Sequence, residues 1–248
     1  MSRWWPERLV AAPADVADAA RSVASVLASF EIELDTLQPR RGARLDCIVG
    51  GEAVRLRVVP WNNALTSTAD RRVLASQGFV EACGDEAANW VVREGATRYG
   101  EATLAAAIDP ELVAGLGAMA RARGLRLASI QPSLMHAFNA RRNAIGTGLT
   151  WFVWVERHVT TALLSSPRAP RIVKRYAVPH AALATLLARE WFSLGIEEPP
   201  CPAFVDRSPN AVWQPPAAAP AADSAFAIVE LPRPVGVAFA PVLDAAVA

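Results

Sequence analysis

The residues with the clearest chemical potential lie in the middle of the chain, where Glu156, Arg157 and His158 separate two apolar runs in TWFVWVERHVTTALL, residues 150–164. A turn between two strands holds nucleotide phosphates when glycine lets the phosphate oxygens approach backbone N–H groups. Glu156 supplies an acid that could hold magnesium, but no glycine follows it. The side chains of Arg157 and His158 would crowd a phosphate, so the sequence predicts that this turn does not bind one closely.

Other residue types that carry chemistry are too scattered to form a recognisable site. The three histidines, His136, His158 and His180, have neither His-x-x-x-His nor Glu-x-x-His spacing, which argues against a metal site. No Gly-x-Ser-x-Gly turn presents a serine nucleophile. Lys174 is the only lysine, and no glycine-rich loop precedes it, which excludes a P-loop. We therefore expect no metal, no cofactor and no catalytic residue.

The overall composition is that of a soluble globular protein. The chain has 248 residues, of which 52% are hydrophobic and 20% charged, and its formal net charge is +1. A charge so close to zero, with scattered arginines, argues against nucleic acid as a partner. No apolar stretch reaches the ~20 residues of a membrane-spanning helix, so we expect membrane association only through partners. Three widely spaced cysteines, Cys47, Cys83 and Cys201, are expected to be buried or idle thiols in a reducing compartment.

Periodicity and turn residues predict the elements that would position these groups in the first half. Apolar residues on one stripe predict a helix over 15–30. A β-hairpin is predicted where LDCIV and VRLRVV flank Gly50 and Gly51, because paired glycines supply the positive φ angles of a tight turn. A helix is expected over 70–83, followed by short strands at NWVVRE and TLAAAI.

A β-α-β unit is predicted over 103–130. Asp109 is an N-cap, Pro110 stands at the first helical position and Gly124 ends the helix. The strand LRLASI follows directly, so the two strands of the unit should be parallel and buried. A further helix is expected over 133–142.

The pattern then changes to strand, strand, strand, helix, strand, over residues 150–156, 159–165, 171–177, 180–192 and 203–206. Three antiparallel strands, a helix and a parallel return strand open a ribonuclease-H-like half, and the first half has a similar order with an insertion. We therefore expect an α/β protein with an actin-like architecture of two such halves. Residues 1–145 would form the first half with an inserted subdomain, and residues 146–207 a truncated second half.

Residues 208–248 are expected to form a flexible, disordered Pro/Ala-rich C-terminal tail. Ten of the nineteen prolines fall between Pro199 and Pro241, and PNAVWQPPAAAPAADSA has no period that would bury a face. The segment FAIVEL, residues 226–231, is the one strand-like patch in this tail. The sequence leaves three alternatives open for this segment: it is part of a loosely ordered extension, it adds a strand to a sheet edge, or it binds a partner in extended form.

Five segments carry a more specific signal. They are VRLRVVPW, ANWVVRE, RYGEATLAAAIDPELV, GLRLASIQPSLMHAFNARR and WFVWVE, which begin at residues 54, 88, 98, 124 and 151. Together they resemble the cytoplasmic actin-like platform proteins of type IV pilus and type II secretion machines, the PilM-like and GspL-like families. The resemblance covers roughly residues 40–192, and its most telling piece is the passage through IQPSL into the following helix.

The resemblance implies an actin-like fold and a scaffold role beneath an inner-membrane assembly, where such proteins bind short peptide tails of membrane partners. It implies a cytoplasmic location that is peripheral to the inner membrane through those partners, and an oligomer is compatible with it. The family's nucleotide chemistry does not carry over, because neither half has an Asp-x-Gly turn at its first hairpin, and the Gly-Gly motif that cups adenosine would fall in the tail. The alternative is a diverged actin-like ATPase that still binds nucleotide.

Eight tryptophans provide the candidate anchors for a partner. Trp4 and Trp5 lie near the N-terminus, and Trp90 lies at the start of a predicted strand of the inserted region, so we predict these three as partner-binding residues. Trp151 and Trp154 share one strand at odd spacing and should face opposite sides of its sheet.

Overall fold

A computed structural model describes residues 8–11, 22–65, 67–96, 98–146, 148–176, 182–197, 201–209, 211, 213 and 226–232. The α-helices of this part are α1 (Val23–Leu37), α2 (Thr68–Cys83), α3 (Pro110–Ala122), α4 (Ser133–Ile145) and α5 (Leu183–Ser193), and a 3-10 helix spans Asp85–Asn89. The strands are β1 (Arg8–Ala11), β2 (Arg44–Val49), β3 (Val54–Val59), β4 (Val91–Glu94), β5 (Thr103–Ile108), β6 (Arg126–Pro132), β7 (Thr150–Val155), β8 (Thr160–Ser165), β9 (Pro170–Tyr176), β10 (Ala203–Arg207) and β11 (Ile228–Glu230). No helix in these ranges combines the length and apolar character that crossing a bilayer requires.

The first half is built around two small sheets. β2 lies between β1 and β6, and all three strands are parallel. β5 lies between β3 and β4 and is antiparallel to both. α1 and α3 share a core with β2, and they approach closely because Gly115 has no side chain: a Cβ atom there would collide with Leu27. α2 and β4 lie between β3 and β5 in the chain, within the region that the sequence assigns to a first half with an inserted subdomain.

The second half is a single five-stranded sheet in the order β11-β10-β7-β8-β9. β7, β8 and β9 are antiparallel neighbours, whereas β10 and β11 are parallel to β7 on its other side. Numbered from β7, the order is 3-2-1-4-5, which is the arrangement of a ribonuclease-H-like half. α5 packs on one face of this sheet and α4 on the other. The α/β class predicted from the sequence is confirmed.

Trp151 and Trp154 lie on opposite faces of β7, as their spacing predicts, and both are buried. Trp151 packs in the cluster that contains Leu187 and Trp191 of α5. Trp154 packs in the cluster that contains Leu134 of α4. Because β7 is central and covered on both faces, every one of its residues is buried, and its sequence is continuously apolar after Thr150.

The predicted hairpin between β2 and β3 is wrong. The two edges of β2 are taken by β1 and β6, so no edge remains for β3, which pairs with β5 instead. The parallel pairing of β5 with β6, expected within the β-α-β unit over 103–130, is also wrong. Both edges of β5 are occupied, by β3 and β4, and β6 therefore joins the other sheet.

Local signals placed the helices more accurately than the strand pairs. The Asp109 carboxylate accepts the N–H of Glu111 and Pro110 opens α3, while Ser67 caps α2 through the N–H of Asp70. The first helix is displaced from the predicted range of 15–30, because Ser22 caps it and it runs to Leu37. Residues 12–21 lie outside the described part of the chain.

The segment 226–231 adds to a sheet edge, which is one of the alternatives that its sequence left open. β11 pairs with β10 in parallel register, Ala203 with Ile228 and Val205 with Glu230. Phe226 just before β11 and Leu231 just after it are buried. Residues 214–225 and 233–248 of the predicted tail lie outside the described residues.

Candidate functional site

The carboxyl ends of three strands bring together the groups on which the nucleotide argument depends. The pair Gly50-Gly51 follows β2, Ser133 follows β6 and begins α4, and Glu156 follows β7. β2 and β6 belong to the first half and β7 to the second. The site therefore lies at the junction of the two halves, which is where an actin-like protein would place its phosphate turns.

At this junction the carboxylate of Glu156 is held by donors from the first half. The N–H of Gly51 donates to Oε2 at 3.0 Å and to Oε1 at 3.2 Å, and the hydroxyl of Ser133 donates to Oε1 at 2.9 Å. The Glu156 residue is 9% exposed. A guanidinium N–H of Arg175 donates to the carbonyl oxygen of Gly51 at 3.0 Å, which fixes the peptide that presents the Gly51 N–H. A buried carboxylate with charge-assisted hydrogen bonds of this kind is a strong link between the halves.

The glycines of this turn are needed for space and not for a positive φ, which corrects the sequence-based explanation. Neither Gly50 nor Gly51 is among the described glycines with positive φ. A Cβ atom on Gly51 would lie 2.7 Å from Oε2 of Glu156, and one on Gly50 would lie 3.1 Å from Oε1. Glycine therefore lets an oxyanion approach the backbone closely, and the oxyanion in this structure is a carboxylate of the protein.

The obstruction at the second turn comes from a different residue than the sequence suggested. Arg157 is exposed and His158 is half-buried, and the group that occupies the junction is Glu156. Sequence reasoning considered Glu156 only as a magnesium ligand and did not connect it with Gly51, from which it is separated by 105 positions. The available signal was the coincidence of a glycine pair, a serine and an acid at or just beyond the ends of three predicted strands.

A second feature is an open groove with a volume of about 660 Å³ in the first half. It runs between the face of the β3-β5-β4 sheet and the outer edge of β6, and the N-terminal part of α4 lines it further. Its apolar lining includes Leu56, Leu104, Ala106, Leu127, Ile130 and Met135. Among the described strands β6 pairs only with β2, so its other edge is available along the groove.

Trp90 directly precedes β4 and packs on the face of its sheet opposite the groove. It packs with Val92 in the cluster under α2, and the guanidinium of Arg55 lies 6.0 Å from its ring centroid. The groove is lined by Val91 and Arg93, which alternate with Val92 along β4. The structure thus does not bring Trp90 into the groove. The other two predicted anchors, Trp4 and Trp5, lie outside the described residues.

The cysteines and histidines form no second site in the described ranges. Burial, followed by the nearby carboxylates Asp46 and Glu33, raises the pKa of Cys47 to about 12, and burial also raises the pKa of Cys201. Both thiols are therefore protonated and unreactive near neutral pH, as idle thiols should be. No group of three or more His, Cys, Asp or Glu residues in the described part has the geometry to hold a metal ion.

No family model matches the chain, and no curated protein matches it. Solved structures do match the chain, by similarity of fold. A protein of unknown function with an actin-like ATPase fold from Bacteroides thetaiotaomicron aligns over 74% of this chain and 68% of its own, with a TM-score of 0.50 and 9% identity. A PilM–PilN type IV pilus biogenesis complex aligns over 75% and 68%, with a TM-score of 0.51 and 15% identity.

The cytoplasmic domain of EpsL, an inner-membrane component of the type II secretion system of Vibrio cholerae, aligns over 77% of this chain and 75% of its own, with a TM-score of 0.47 and 10% identity. The other two likenesses agree with the strand order of the second half and with the resemblance noted in the sequence. The chain has the actin-like fold, with a ribonuclease-H-like second half and a glycine turn closed by its own glutamate.

Proposed function

We propose that this chain is a non-enzymatic scaffold on the cytoplasmic side of a bacterial pilus or secretion apparatus, where it binds short tails of inner-membrane partners. The observation that carries the proposal is the open groove beside the edge of β6 that no described strand covers. An apolar groove next to a free strand edge is suited to an extended peptide, because main-chain hydrogen bonds supply affinity and side-chain pockets supply specificity.

A comparison of the two halves supports the same interpretation. β10 is the fourth strand of the second half, counted from β7, and β11 covers its outer edge in parallel register. β6 follows α3 in the first half and lies beside β2 as β10 lies beside β7, but no described strand covers its outer edge. A partner segment that paired with β6 in parallel register would cover the outer edge of β6, as β11 covers the outer edge of β10 in the second half.

The fold likeness gives the proposal its biological setting. One similar structure is a complex from type IV pilus biogenesis, and the sequence segments that resemble the PilM-like and GspL-like families include the whole of β6. We place this chain in a comparable assembly, in the cytoplasm and peripheral to the inner membrane through its partners. Trp4, Trp5 and Trp90 remain proposed anchors, and a binding measurement on Trp90→Ala tests the last of them.

The groove is tested by introducing a charge into it. Leu104→Arg places a guanidinium among apolar side chains on β5, and we expect it to weaken binding of a partner peptide at least about tenfold, or about 1.4 kcal/mol. The measurement is fluorescence anisotropy with labelled synthetic peptides that copy the cytoplasmic tails of bitopic inner-membrane proteins from pilus and secretion assemblies. Ile32→Arg is the matched control, because Ile32 is 69% exposed on α1, away from the groove.

The same titration on Trp90→Ala decides which face of β4 the partner uses. Loss of binding in Trp90→Ala with no change in Leu104→Arg would move the partner to the face under α2. If the peptide binds in the groove, Leu104→Arg should weaken binding and Trp90→Ala should leave it unchanged. If a peptide binds and neither variant changes its affinity, the proposed site is wrong.

We expect the unaltered chain to bind Mg-ATP no more tightly than about millimolar and to show no hydrolysis above background, because a triphosphate would have to displace the Glu156 carboxylate from its hydrogen bonds and lose its own hydration. Isothermal titration calorimetry and a phosphate-release assay measure the two quantities. A micromolar dissociation constant would favour the diverged ATPase over the scaffold.

A further inference from the structure

We propose that the outward face of α2 is the surface through which two copies of this chain form a two-fold symmetric dimer. The inward face of α2 packs on the β3-β5-β4 sheet, in the cluster that contains Phe79 and Val92. The peptide groove lies on the other face of the same sheet. The dimer contact therefore leaves the groove open, and the inference does not depend on peptide binding.

The outward face of α2 carries an apolar stripe along a shallow depression of about 850 Å³. Ala69, Val73, Ser76 and Val80 recur at intervals of three and four residues, which places them on one side of the helix. Val73 is 56% exposed. Within the described ranges, only α2 and Ala88 of the 3-10 helix line this depression. An apolar stripe on an exposed helix face is typical of a surface that packs against another helix.

Two opposite charges stand at equal distances from the middle of this stripe. Arg72 lies four residues before Ser76, and Glu81 lies four residues after Gln77. Both charged side chains are exposed, and no described residue forms an ion pair with either of them. A two-fold axis that passes between Ser76 and Gln77 would therefore bring Arg72 of each copy level with Glu81 of the other. This charge complementarity favours a second copy as the partner.

The rules of helix packing bring the matched groups together. Two helices that interlock their i±4 ridges cross at about −50°, with their axes about 8–10 Å apart. When α2 crosses a second copy of itself in this way, Arg72 of each copy faces Glu81 of the other, and Val73 lies beside Val80. The small side chain of Ser76 stands at the crossing point and permits the close approach. The surface is thus complementary to itself, as a two-fold interface must be.

The contact is small, so we expect a weak dimer. α2 has 16 residues and is about 24 Å long. One helix pair of this length buries less than the ~1,600 Å² of a standard interface, and we expect a dissociation constant of about 10–100 µM at low salt. Sedimentation velocity of the full chain between about 5 and 500 µM should show a monomer–dimer equilibrium. A chain that stays monomeric over this range would overturn the proposal.

Reversing either charge should weaken the dimer at least about tenfold, because it places like charges opposite each other at both ends of the contact. The variants are Arg72→Glu and Glu81→Arg. Each should fold normally, since both positions are exposed, and since glutamate near the start of a helix and arginine near its end suit the helix dipole. Arg121→Glu is the matched control, because Arg121 is an exposed arginine of α3, and this variant should dimerise like the unaltered chain.

Mixing the two weakened variants gives the decisive result. In a pair made of one Arg72→Glu chain and one Glu81→Arg chain, the introduced glutamate faces the introduced arginine, and the native Glu81 and Arg72 face each other. The equimolar mixture should therefore dimerise about as well as the unaltered chain, and so should a chain that carries both substitutions. If the mixture stays monomeric, or if either single variant dimerises normally, the copies do not meet through α2 and the proposal is wrong.

Discussion

Replacing Phe226 by alanine should lower the free energy of unfolding by about 3–5 kcal/mol, the cost of deleting a buried aromatic side chain. Phe226 is 3% exposed and packs edge-to-face on Trp191, with 5.5 Å between the ring centroids. For a protein of this size the loss corresponds to a fall of roughly 6–20 °C in the melting midpoint, which differential scanning calorimetry would measure.

The control for this variant is Val229→Ala in β11. Val229 is 37% exposed, so its truncation should cost less than about 1 kcal/mol while leaving the strand in place. The prediction is contradicted if both variants melt at the temperature of the unaltered chain. In that case residues 226–231 would contribute nothing to the core, and a tail beginning at residue 208 would describe them correctly.

Phe226 also shows why part of this fold could not be predicted from the sequence. Its segment is six residues long and stands among prolines, so local periodicity could identify a strand but not its neighbour. What fixes β11 is the free edge of β10 and the ring of Trp191, both of which are brought near by packing. The strands β7, β8, β9 and β10 of the same sheet were predictable because each has its own apolar run and its own turn.

In the first half, too, local signals predicted the helices but not which strands pair. Ser67 and Asp109 mark the starts of α2 and α3 through hydrogen bonds within three residues, and sequence reasoning placed both helices. The turn at Gly50 and Gly51 looked equally local, but a hairpin there also requires a free edge on β2. That edge is occupied by β1, a strand more than thirty positions away, so the local signal was overridden.

The candidate site was predictable in its parts and not in its assembly. The sequence correctly indicated that residues 156–158 lack the glycine of a phosphate turn, and it identified the glycine pair after β2. It could not show that Glu156 and Gly51 meet, because that contact depends on how the two halves pack. The consequence is that the acid was interpreted as a possible metal ligand, whereas its oxygens accept hydrogen bonds from the protein.

A second large effect is expected at the ion pair between Arg141 of α4 and Asp206 of β10. Arg141 donates to the two carboxylate oxygens at 2.6 Å and 3.2 Å and also donates to the carbonyl of Pro232, just beyond β11. The side chains of the pair are 11% and 7% exposed. Asp206→Ala leaves a buried guanidinium without its counter-charge, and we expect it to lower the free energy of unfolding by about 3–5 kcal/mol in urea denaturation.

Two comparisons show whether the loss comes from the unpaired charge. Asp35→Ala removes the nearer of two acidic partners of Arg123 at the surface, the other being Glu31. The Asp35 side chain is 69% exposed, and its loss should cost less than about 1 kcal/mol. Replacing both members of the buried pair, with Arg141→Met and Asp206→Leu, should recover much of the stability, because an apolar pair avoids the desolvation of both charges. If the double variant is as unstable as Asp206→Ala, the pair acts by shaping the contact of α4 with β10, and its charge is not what matters.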